Sequence, residues 1–369
     1  MYAAGAWAPA AKKLGVRKQL DAVQRGFAQK ICKAYKTVSL NSALLLSGLL
    51  PLDLRIQEAA SLYEAKRGRP QPHIGDRQLE PKVPYTSATH PAESKRLSFQ
   101  LLENEEGMEP MENQLFTDGS KIEGKVGASL SCWNSGAETK AQKFKLENYC
   151  TVFQAEMLAV LKATEYVLKS PKKDFGIYSD SRSALEIIGN LNSFNPVVME
   201  IRKNLAKAEE QGKETKLFWV KAHVGTAGNE RADMLSKEAA LTLKRKPHYD
   251  LCPVSYIKKI NRRETLEEWD KRYKETNTAT TTKVFFPSAL EAYKTIRKIK
   301  QDPILVQILT GHGGFSEYLH RFKCKDSPAC VCDPSVSESI LHVITDCPVF
   351  GRERLEKEIE LGIKIEKAW

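Results

Sequence analysis

The stretch LFTDGSKIEGKVGASL, residues 115–130, joins two apolar strand-like runs through a short turn and places one carboxylate within the first of them. Asp118 follows LFT directly and precedes Gly119 and Ser120. Removing an unpaired carboxylate from water costs on the order of several kcal/mol, so Asp118 should have a partner. Either it closes an Asx-type turn with the backbone, or it binds a cation.

The residues around this stretch alternate between strand and helix patterns. Three runs, NQLFTDGSKI, KVGASLSCWN and ETKAQKFKL, are separated by short turns and predict an antiparallel meander. Residues 152–170 predict an amphipathic helix that Pro171 stops. There follow a strand (DFGIYSDS), two helices (SALEIIGNL and PVVMEIRKNLAKAEEQG), a strand (TKLFWVKAH) and a helix (GNERADMLSKEAALTLK). This order predicts an α/β fold with a mixed five-stranded sheet and flanking helices.

Four acidic residues lie at predicted strand ends or helix starts, where the neighbouring apolar residues should hold them close to the sheet. Asp118 and Asp180 end predicted strands, while Glu156 and Asp233 lie near the starts of predicted helices. If the two strands are neighbours, their ends lie about 5 Å apart, and carboxylates this close need a cation to balance them. Oxygen ligands select Mg²⁺ or Mn²⁺, and a carboxylate cluster can hold two such ions. Each acid taken alone is better explained by a turn or a helix cap, and only the joint occurrence of the four in this order favours a cation site.

The segments FTDGS, FQAEMLAV, YSDSRSAL and WVKAHVGTAGNERADMLSKEA resemble the four active-site segments of ribonuclease H, in the same order. The resemblance covers residues 113–243 and implies a metal-dependent endonuclease that cleaves the RNA strand of RNA/DNA hybrids. Its products would carry 3′-hydroxyl and 5′-phosphate ends. The resemblance makes Asp118, Glu156, Asp180 and Asp233 the catalytic ligands of two Mg²⁺ or Mn²⁺ ions. It gives His223 a part in proton transfer or product release.

The same resemblance implies contacts with the hybrid. We expect four residues to bind the substrate: Gly119, Ser120, Ser181 and Asn229. Lys140, Lys143 and Lys145, beside Trp133, either grip the hybrid backbone or form a solvated strand face. A catalytically idle, nucleic-acid-binding remnant is the alternative to an active enzyme.

The sequences on either side of residues 113–243 differ from them in composition and in the spacing of apolar residues. We expect helices over residues 1–67, a Pro-rich linker over 68–112, the ribonuclease H domain over 113–243 and a basic helical segment over 244–300. The basic segment holds 15 Lys and Arg against 7 Asp and Glu. A Cys/His-containing tail over 301–350 and a charged C-terminal helix over 351–369 follow. His312, in the turn GHGG, is interpreted as part of a helix-ending turn.

The tail carries a possible metal site. Cys330, Cys332, His342 and Cys347 have C-x-C-x9-H-x4-C spacing and would satisfy tetrahedral Zn²⁺. The H-x4-C half matches a zinc knuckle, whereas the C-x-C half is tighter than the usual C-x2-C. Cys324 is a possible substitute ligand, and free buried thiols are the alternative.

LTGHGGFSEYLHRFK with this cluster, and YAAGAWAP with LLLSGLLPLDLRIQEAASLYEAKRG, resemble the C-terminal part of arthropod non-LTR retrotransposon polyproteins. The resemblance implies that residues 1–67 are a remnant of the thumb or connection region of a reverse transcriptase. The chain has no Asp-Asp dipeptide, so we expect no polymerase activity.

Composition agrees with a nucleic-acid partner. The 369 residues carry a formal charge of +11, with 28% charged and 41% hydrophobic residues. No apolar run is long enough to cross a bilayer, and we expect no membrane partner. The scattered cysteines favour reduced thiols. We therefore expect an intracellular protein, nuclear or cytoplasmic, of unknown oligomeric state.

Overall fold

The computed structural model describes residues 3–69, 77–81, 97–102 and 111–366. The chain divides into two compact units. The sheet unit is Ala65–Ile257, and the helical unit combines Met1–Glu64 with Lys258–Trp369.

The strands of the described residues are β1 (Phe99–Leu102), β2 (Asn113–Ile122), β3 (Lys125–Asn134), β4 (Ala137–Leu146), β5 (Asp174–Ser179), β6 (Glu214–Val220), β7 (Ala329–Cys330) and β8 (Asp333–Ser337). The helices are α1 (Ala4–Ala11), α2 (Leu14–Ile31), α3 (Leu40–Ser47), α4 (Leu52–Lys66), α5 (Val152–Lys169), α6 (Arg182–Gly189), α7 (Pro196–Glu210), α8 (Ala227–Thr242), α9 (Val254–Glu275), α10 (Thr280–Phe285), α11 (Ala289–Ile296), α12 (Pro303–Thr310), α13 (Ser316–Arg321) and α14 (Gly351–Leu361).

The large sheet has the strand order β1-β6-β5-β2-β3-β4. β2, β3 and β4 form an antiparallel meander, and β5, β6 and β1 run parallel to β2. The predicted mixed sheet with flanking helices is confirmed, with a correction to the number of strands. The sixth strand, β1, comes from the segment predicted to be a linker and pairs with residues 217–220 of β6.

Two glycines let helices pack closely on opposite faces of the meander. A Cβ on Gly119 would lie 2.4 Å from the backbone N of Glu156 in α5, and one on Gly127 would lie 2.3 Å from the backbone O of Ser236 in α8. Gly119 pairs with Ala128, the residue after Gly127. Because neighbouring residues of a strand point to opposite faces, α5 and α8 lie on opposite sides of the sheet.

The two faces are filled by different cores. Residues of α5, α6 and α7 build the larger core with the apolar side chains of β2, β3 and β5. On the other face, Ala232 of α8 packs with Phe116, Tyr178 and Phe218. The Phe116, Tyr178 and Phe218 rings are stacked with centroids 4.8 Å apart. A capping box between Thr151 and Gln154 sets the start of α5.

A segment that follows α8 in the chain completes the sheet unit. This strap, residues 246–253, lies along the end of β4 and the start of α5. His248 N donates to Lys145 O at 2.7 Å, and Glu147 N donates to Tyr249 O at 3.0 Å. The side chain of Cys252 is fully buried. The strap belongs to the part of the sequence that was predicted as a basic helical segment.

The helical unit has its own core. Leu44, Leu45 and Leu46 of α3 pack in one cluster with Trp269 and Tyr273 of α9. These two aromatic residues, which stand among charges in the sequence, are 1% and 0% exposed. Within the described ranges, no helix combines the length and the apolar character needed to cross a membrane.

Candidate active site

Asp118 and Asp180 lie side by side because β2 and β5 are parallel neighbours. Thr117 pairs with Ser179, so the next residue of each chain segment is one of the two aspartates. The predicted adjacency of the two strands is therefore confirmed. Trp219 Nε1 donates to the Asp180 carbonyl at 3.0 Å and fixes the backbone where β5 ends.

Glu156 reaches the same place from α5. The close packing of α5 on Gly119 brings the second turn of the helix against β2, and Glu156 is 7% exposed there. Ligand atoms of Asp118, Glu156 and Asp180 all lie within 4.8 Å of one another. Glu156 Oε2 is buried and has no hydrogen-bond partner among the described residues. Three acids from three elements thus converge around one oxygen that lacks a donor.

The crowding changes the acidity of all three groups. Burial raises the pKa of Asp118 to about 6, the charges of Asp180 and Asp233 add to the rise, and hydrogen bonding from Ser236 opposes it. Burial, then the charges of Asp118 and Asp180, raise the pKa of Glu156 well above its usual value. Burial also raises the pKa of Asp180, where a hydrogen bond from Asn229 acts in the opposite direction. The site therefore accumulates more negative charge than its own donors balance.

Asp233, on α8, lies at the edge of this cluster. Its carboxylate accepts from Lys237 Nζ at 2.6 Å, and it groups most closely with His223 and Glu230, whose ligand atoms lie within 4.8 Å. Its charge nevertheless raises the pKa values of Asp118 and Asp180. The four predicted carboxylates therefore share one electrostatic site, with three in direct proximity and Asp233 beside them.

His223 lies in the loop before α8. It is exposed, and its backbone has φ of +56°, a left-handed conformation that is uncommon for residues other than glycine. The conformation turns the chain between β6 and α8 and leaves the imidazole next to Glu230 and Asp233.

Three residues of α8 belong to the site although the sequence patterns did not single them out. Glu230 lies one turn before Asp233, Lys237 pairs with Asp233, and Ser236 Oγ donates to Asp118 Oδ2. Their separations of three and four residues from Asp233 place them on one helix face. That periodicity is the signal by which they could have been found.

The residues expected to contact the substrate lie around the carboxylates. Asn229 is buried, and its Nδ2 lies 3.5 Å from Asp180 Oδ2, which assigns it a positioning role. The close packing of α5 leaves no room for a side chain at Gly119. Ser120 follows on β2, and Ser181 begins the turn into α6, where its Oγ lies 3.5 Å from Ser183 Oγ. Contacts of these four residues with a substrate stay predictions.

The lysines of β4 lie on the edge strand but not on one face of it, because Lys140 reaches α5 and Lys143 reaches α8. Lys143 Nζ pairs with Glu238 at 3.2 Å, and Lys140 Nζ lies 5.6 Å from the centroid of the Tyr166 ring. Trp133 is held by a hydrogen bond from its Nε1 to Ser131 Oγ at 2.7 Å. Lys140 and Lys143 are exposed and Lys145 is half-buried, and contacts of these lysines with nucleic acid stay predictions.

The Cys/His cluster of the tail forms a second site, in the helical unit. Ligand atoms of Cys330, Cys332, His342 and Cys347 lie within 4.8 Å of one another. Cys330 Sγ and Cys347 Sγ are 3.7 Å apart, and Cys332 Sγ lies 3.2 Å from His342 Nε2. Cys324 is exposed and lies outside this group.

The local backbone explains the unusual spacing. β7 and β8 pair Cys330 with Asp333, so C-x-C spans the tip of a tight hairpin. His342–Asp346 is one π-helical turn, and Cys347 N donates to His342 O at 2.8 Å. This i to i+5 bond brings the two ends of H-x4-C to the same side of the turn.

Comparisons with known proteins agree with the geometry. Residues 110–241 match the family model for RNase H. The retrovirus-related Pol polyprotein from type-1 retrotransposable element R1 of Popillia japonica is 25% identical over 211 residues, which are 56% of this chain and 80% of that protein. The corresponding polyprotein from element R1 4 of Nasonia vitripennis is 30% identical over 105 residues, 28% of this chain. That match spans 26% of the Nasonia protein.

A bacterial relative matches a shorter part of the chain. Ribonuclease HI of Campylobacter jejuni is 28% identical over 138 residues, which are 36% of this chain and 93% of that protein. Residues 110–241 therefore form an RNase H domain, a kind of domain that acts on RNA/DNA hybrids, in a chain that is similar to the Pol polyproteins of insect retrotransposons.

Proposed function

We propose that the sheet unit hydrolyses the RNA strand of RNA/DNA hybrids in a reaction that requires divalent metal ions. The observation that carries the proposal is the convergence of Asp118, Glu156 and Asp180 within 4.8 Å. Three carboxylates this close are unfavourable unless cations balance them.

The donor set fits hard divalent cations. All the ligands are carboxylate oxygens, which suit Mg²⁺ or Mn²⁺, and the buried Glu156 Oε2 lacks a hydrogen-bond donor among the residues described. Asp118, Glu156, Asp180 and the neighbouring Asp233 would hold a pair of ions. Such ions lower the pKa of a bound water and stabilise the oxygen that leaves phosphorus.

The protein's own groups would position the reactants. Asn229 orients the Asp180 carboxylate, and Ser236 does the same for Asp118. The exposed His223 is placed to accept or release a proton at the edge of the site, a role that suits an imidazole near neutral pH. Hydrolysis with water attacking phosphorus and the 3′-oxygen leaving yields 3′-hydroxyl and 5′-phosphate ends.

The substrate choice rests on the family match. A hybrid exposes 2′-hydroxyls on one strand in its minor groove, and Gly119, Ser120 and Ser181 lie where such a strand would meet the carboxylates. We propose that these residues, with the lysines of β4, contact the hybrid backbone.

A strand-selective cleavage assay tests the proposal. The full chain is incubated with Mg²⁺ and an end-labelled RNA/DNA hybrid, with RNA/RNA and DNA/DNA duplexes of the same sequence as controls. We expect cleavage of the RNA in the hybrid only, with products whose RNA ends carry 5′-phosphates. Binding of the hybrid without cleavage in Mg²⁺ or Mn²⁺ would instead support the idle remnant.

We also propose that the Cys/His cluster binds one structural Zn²⁺. Zn–S bonds of about 2.3 Å in tetrahedral geometry place two sulfurs about 3.8 Å apart, close to the 3.7 Å between Cys330 Sγ and Cys347 Sγ. Because three thiols and one imidazole complete a tetrahedral set, no open position would remain for catalysis. The ion would join the β7–β8 hairpin to the π-helical turn.

Zinc analysis of substituted chains tests this site. We expect one Zn²⁺ per chain in the wild type and in Cys324→Ser, and loss of the metal with lower thermal stability in Cys347→Ser. Equal zinc content in the two variants would contradict the ligand assignment.

We propose an intracellular location for the protein from its cysteines. All eight cysteines, each within the described ranges, are free thiols, which fits an intracellular protein in the nucleus or cytoplasm. We propose that residues 1–67 derive from the thumb or connection region of a retrotransposon polymerase, because the chain is similar to retrovirus-related Pol polyproteins of type-1 retrotransposable elements.

A further inference from the structure

The helical unit contains a large open cavity, and residues 339–341 of its lining directly precede His342 of the Cys/His cluster. Its volume is about 940 Å³, near the upper end of the range for ligand pockets, roughly 300–1,000 Å³. The walls come from the end of α2, the start of α3, the loop before α10, the end of α12 and α13. The cavity therefore lies within one unit and is formed by segments far apart in the sequence.

The lining is rich in neutral hydrogen-bonding groups. Nearly half of the lining residues are Ser, Thr or Asn. Asn41 Nδ2 donates to Thr278 Oγ1 at 2.8 Å and to Thr276 Oγ1 at 3.4 Å, so one rim is held in place. Hydroxyls and amides suit the sugar and phosphate oxygens of a nucleic acid.

One wall is aromatic. His312 and Tyr318 lie with ring centroids 4.8 Å apart, Tyr318 and Phe322 at 4.9 Å, and Tyr35 at 6.5 Å from Tyr318. Thr37 Oγ1 lies 2.7 Å from the Tyr318 hydroxyl and 3.1 Å from His312 Nδ1. Phe322 lines the cavity and is 45% exposed, and Tyr35, next to Tyr318 outside the lining, is 49% exposed. Ring surface therefore remains open to a ligand.

Two arginines face the aromatic wall. The Arg25 guanidinium donates to the Val38 carbonyl at 3.0 Å, which fixes it, and it forms no ion pair with an acid among the residues that the structure describes. In the described part of the chain, Arg321 makes no ion pair, and Glu317 is the single acid of the lining. Burial, with the charges of Arg321 and Arg25, lowers the pKa of His312, which places both charges at the cavity.

We propose that this cavity binds unpaired nucleotides of a single-stranded nucleic acid, with bases on the aromatic wall and phosphates near Arg321 and Arg25. Aromatic platforms beside a positive groove are how proteins hold single strands without a fixed sequence. A double helix is too wide for a cavity of this volume, and its bases offer no free faces for stacking. The proposal is independent of hybrid cleavage in the sheet unit.

The GHGG turn gains a role by this proposal. Gly311 has φ of +69° and ends α12, as the sequence pattern predicted for a helix-ending turn. The turn also carries His312 across to Tyr318, so the histidine forms part of the wall.

Fluorescence anisotropy with a labelled single-stranded DNA of ten thymidines tests the proposal, because this probe contains no RNA for the sheet unit to cleave. The variants are Arg321→Gln, Tyr318→Ala and Tyr318→Phe, with Arg352→Gln as the matched control. Arg352 is 87% exposed on α14 and outside the cavity. A duplex of the same length and a phosphorylated peptide are the competing ligands.

We expect Tyr318→Ala to bind the single strand about tenfold more weakly, since stacking on one base contributes on the order of 1–3 kcal/mol. Tyr318→Phe keeps the ring and should bind like the wild type. Arg321→Gln should weaken binding severalfold and reduce the slope of log affinity against log salt by about 0.7, the value for one phosphate contact on a single strand. Arg352→Gln should leave affinity and slope unchanged.

Cross-linking distinguishes this cavity from general attraction to a basic protein. With bromodeoxyuridine in the probe, we expect ultraviolet cross-links in peptides that contain Tyr35, Tyr318 or Phe322. Cross-links confined to the sheet unit, equal effects of Arg321→Gln and Arg352→Gln, or Arg321-dependent binding of the phosphopeptide alone would overturn the proposal. If Tyr318→Ala does not fold, Arg321→Gln and the cross-links decide.

Discussion

At the scale of single residues, Asp118 is the most informative side chain of the sheet unit. It is buried, it accepts a hydrogen bond from Ser236, and it lies against Glu156 and Asp180. Burial and neighbouring charge raise its pKa to about 6. A carboxyl group that is harder to ionise in the folded state than in the unfolded state makes folding less favourable once it is ionised.

The pH dependence of stability should show this effect. Asp118 ionises at about 3.8 in the unfolded chain and about 6 when folded, so without divalent cations stability should fall as pH rises from 4 to 6 and then level off. The full difference corresponds to about 3 kcal/mol. Urea unfolding should therefore give equal stabilities for the wild type and Asp118→Asn near pH 3.5, and a more stable variant above pH 6.

Added Mg²⁺ provides the control for this prediction. The ion should restore stability to the wild type above pH 6 and do little for Asp118→Asn. A variant that is less stable than the wild type at pH 7 without metal would show that Asp118 is not under electrostatic strain.

The positions of the aspartates followed from the sequence because strand ends are marked by simple patterns. Asp118 and Asp180 end apolar runs of neighbouring parallel strands, and register alone brings them together. Glu230, Ser236 and Lys237 carry no comparable mark. Polar residues on a helix are usually solvated, so their spacing of three and four residues from Asp233 is informative only once Asp233 has been assigned to the site.

At the scale of elements, the contact between β2 and α5 sets the geometry of the site. Gly119 and the backbone of Glu156 touch with no room for a methyl group. The same contact brings the Glu156 carboxylate to Asp118, so close packing and the cluster of acids have one structural cause.

Gly119→Ala should separate the two elements. Its Cβ would lie 2.4 Å from Glu156 N and 2.8 Å from Ala155 C, and overpacking of this kind typically costs about 1–3 kcal/mol. We expect a lower melting temperature and at least a tenfold loss of hybrid cleavage. Gly26→Ala, in the middle of α2 with open space around it, should instead stabilise the chain by about 0.5–1 kcal/mol.

The strap could not be predicted from local patterns. Residues 246–253 are irregular and show no helix or strand periodicity, and their backbone partners, Lys145, Glu147 and Gln78, are distant in the sequence. β1 was not predicted either, because its four residues are too few to show the alternating pattern of a strand. Both segments gain order from long-range hydrogen bonds that the sequence does not show.

The strap leads to a prediction about domain boundaries. A fragment of residues 65–243 lacks the bonds of His248, Tyr249 and Cys252, whereas a fragment of residues 65–257 keeps them. Each net hydrogen bond contributes about 1 kcal/mol, so the shorter fragment should be less stable by at least about 2 kcal/mol in urea unfolding. Equal stabilities would mean that the strap adds nothing to the sheet unit.

At the scale of the whole molecule, two units carry two different chemistries. The sheet unit holds the carboxylates, and the helical unit holds the Cys/His cluster and the aromatic cavity. Sequence patterns predicted the first unit nearly element by element, because its helices and strands are long and regular. The core of the helical unit was harder to predict from the sequence. Trp269 and Tyr273 lie among charged residues, and only the packing of α3 against α9 shows that they belong to the core.

Hybrid cleavage by Glu156→Gln is the most direct test of the central claim that converging carboxylates make the sheet unit a metal-dependent nuclease. Glu165→Gln is the control, because Glu165 lies on the same helix and pairs with Lys162 at 2.8 Å. In Mg²⁺, we expect Glu156→Gln to lose at least a hundredfold in the initial rate and Glu165→Gln to match the wild type. Equal rates for Glu156→Gln and the wild type would contradict the account.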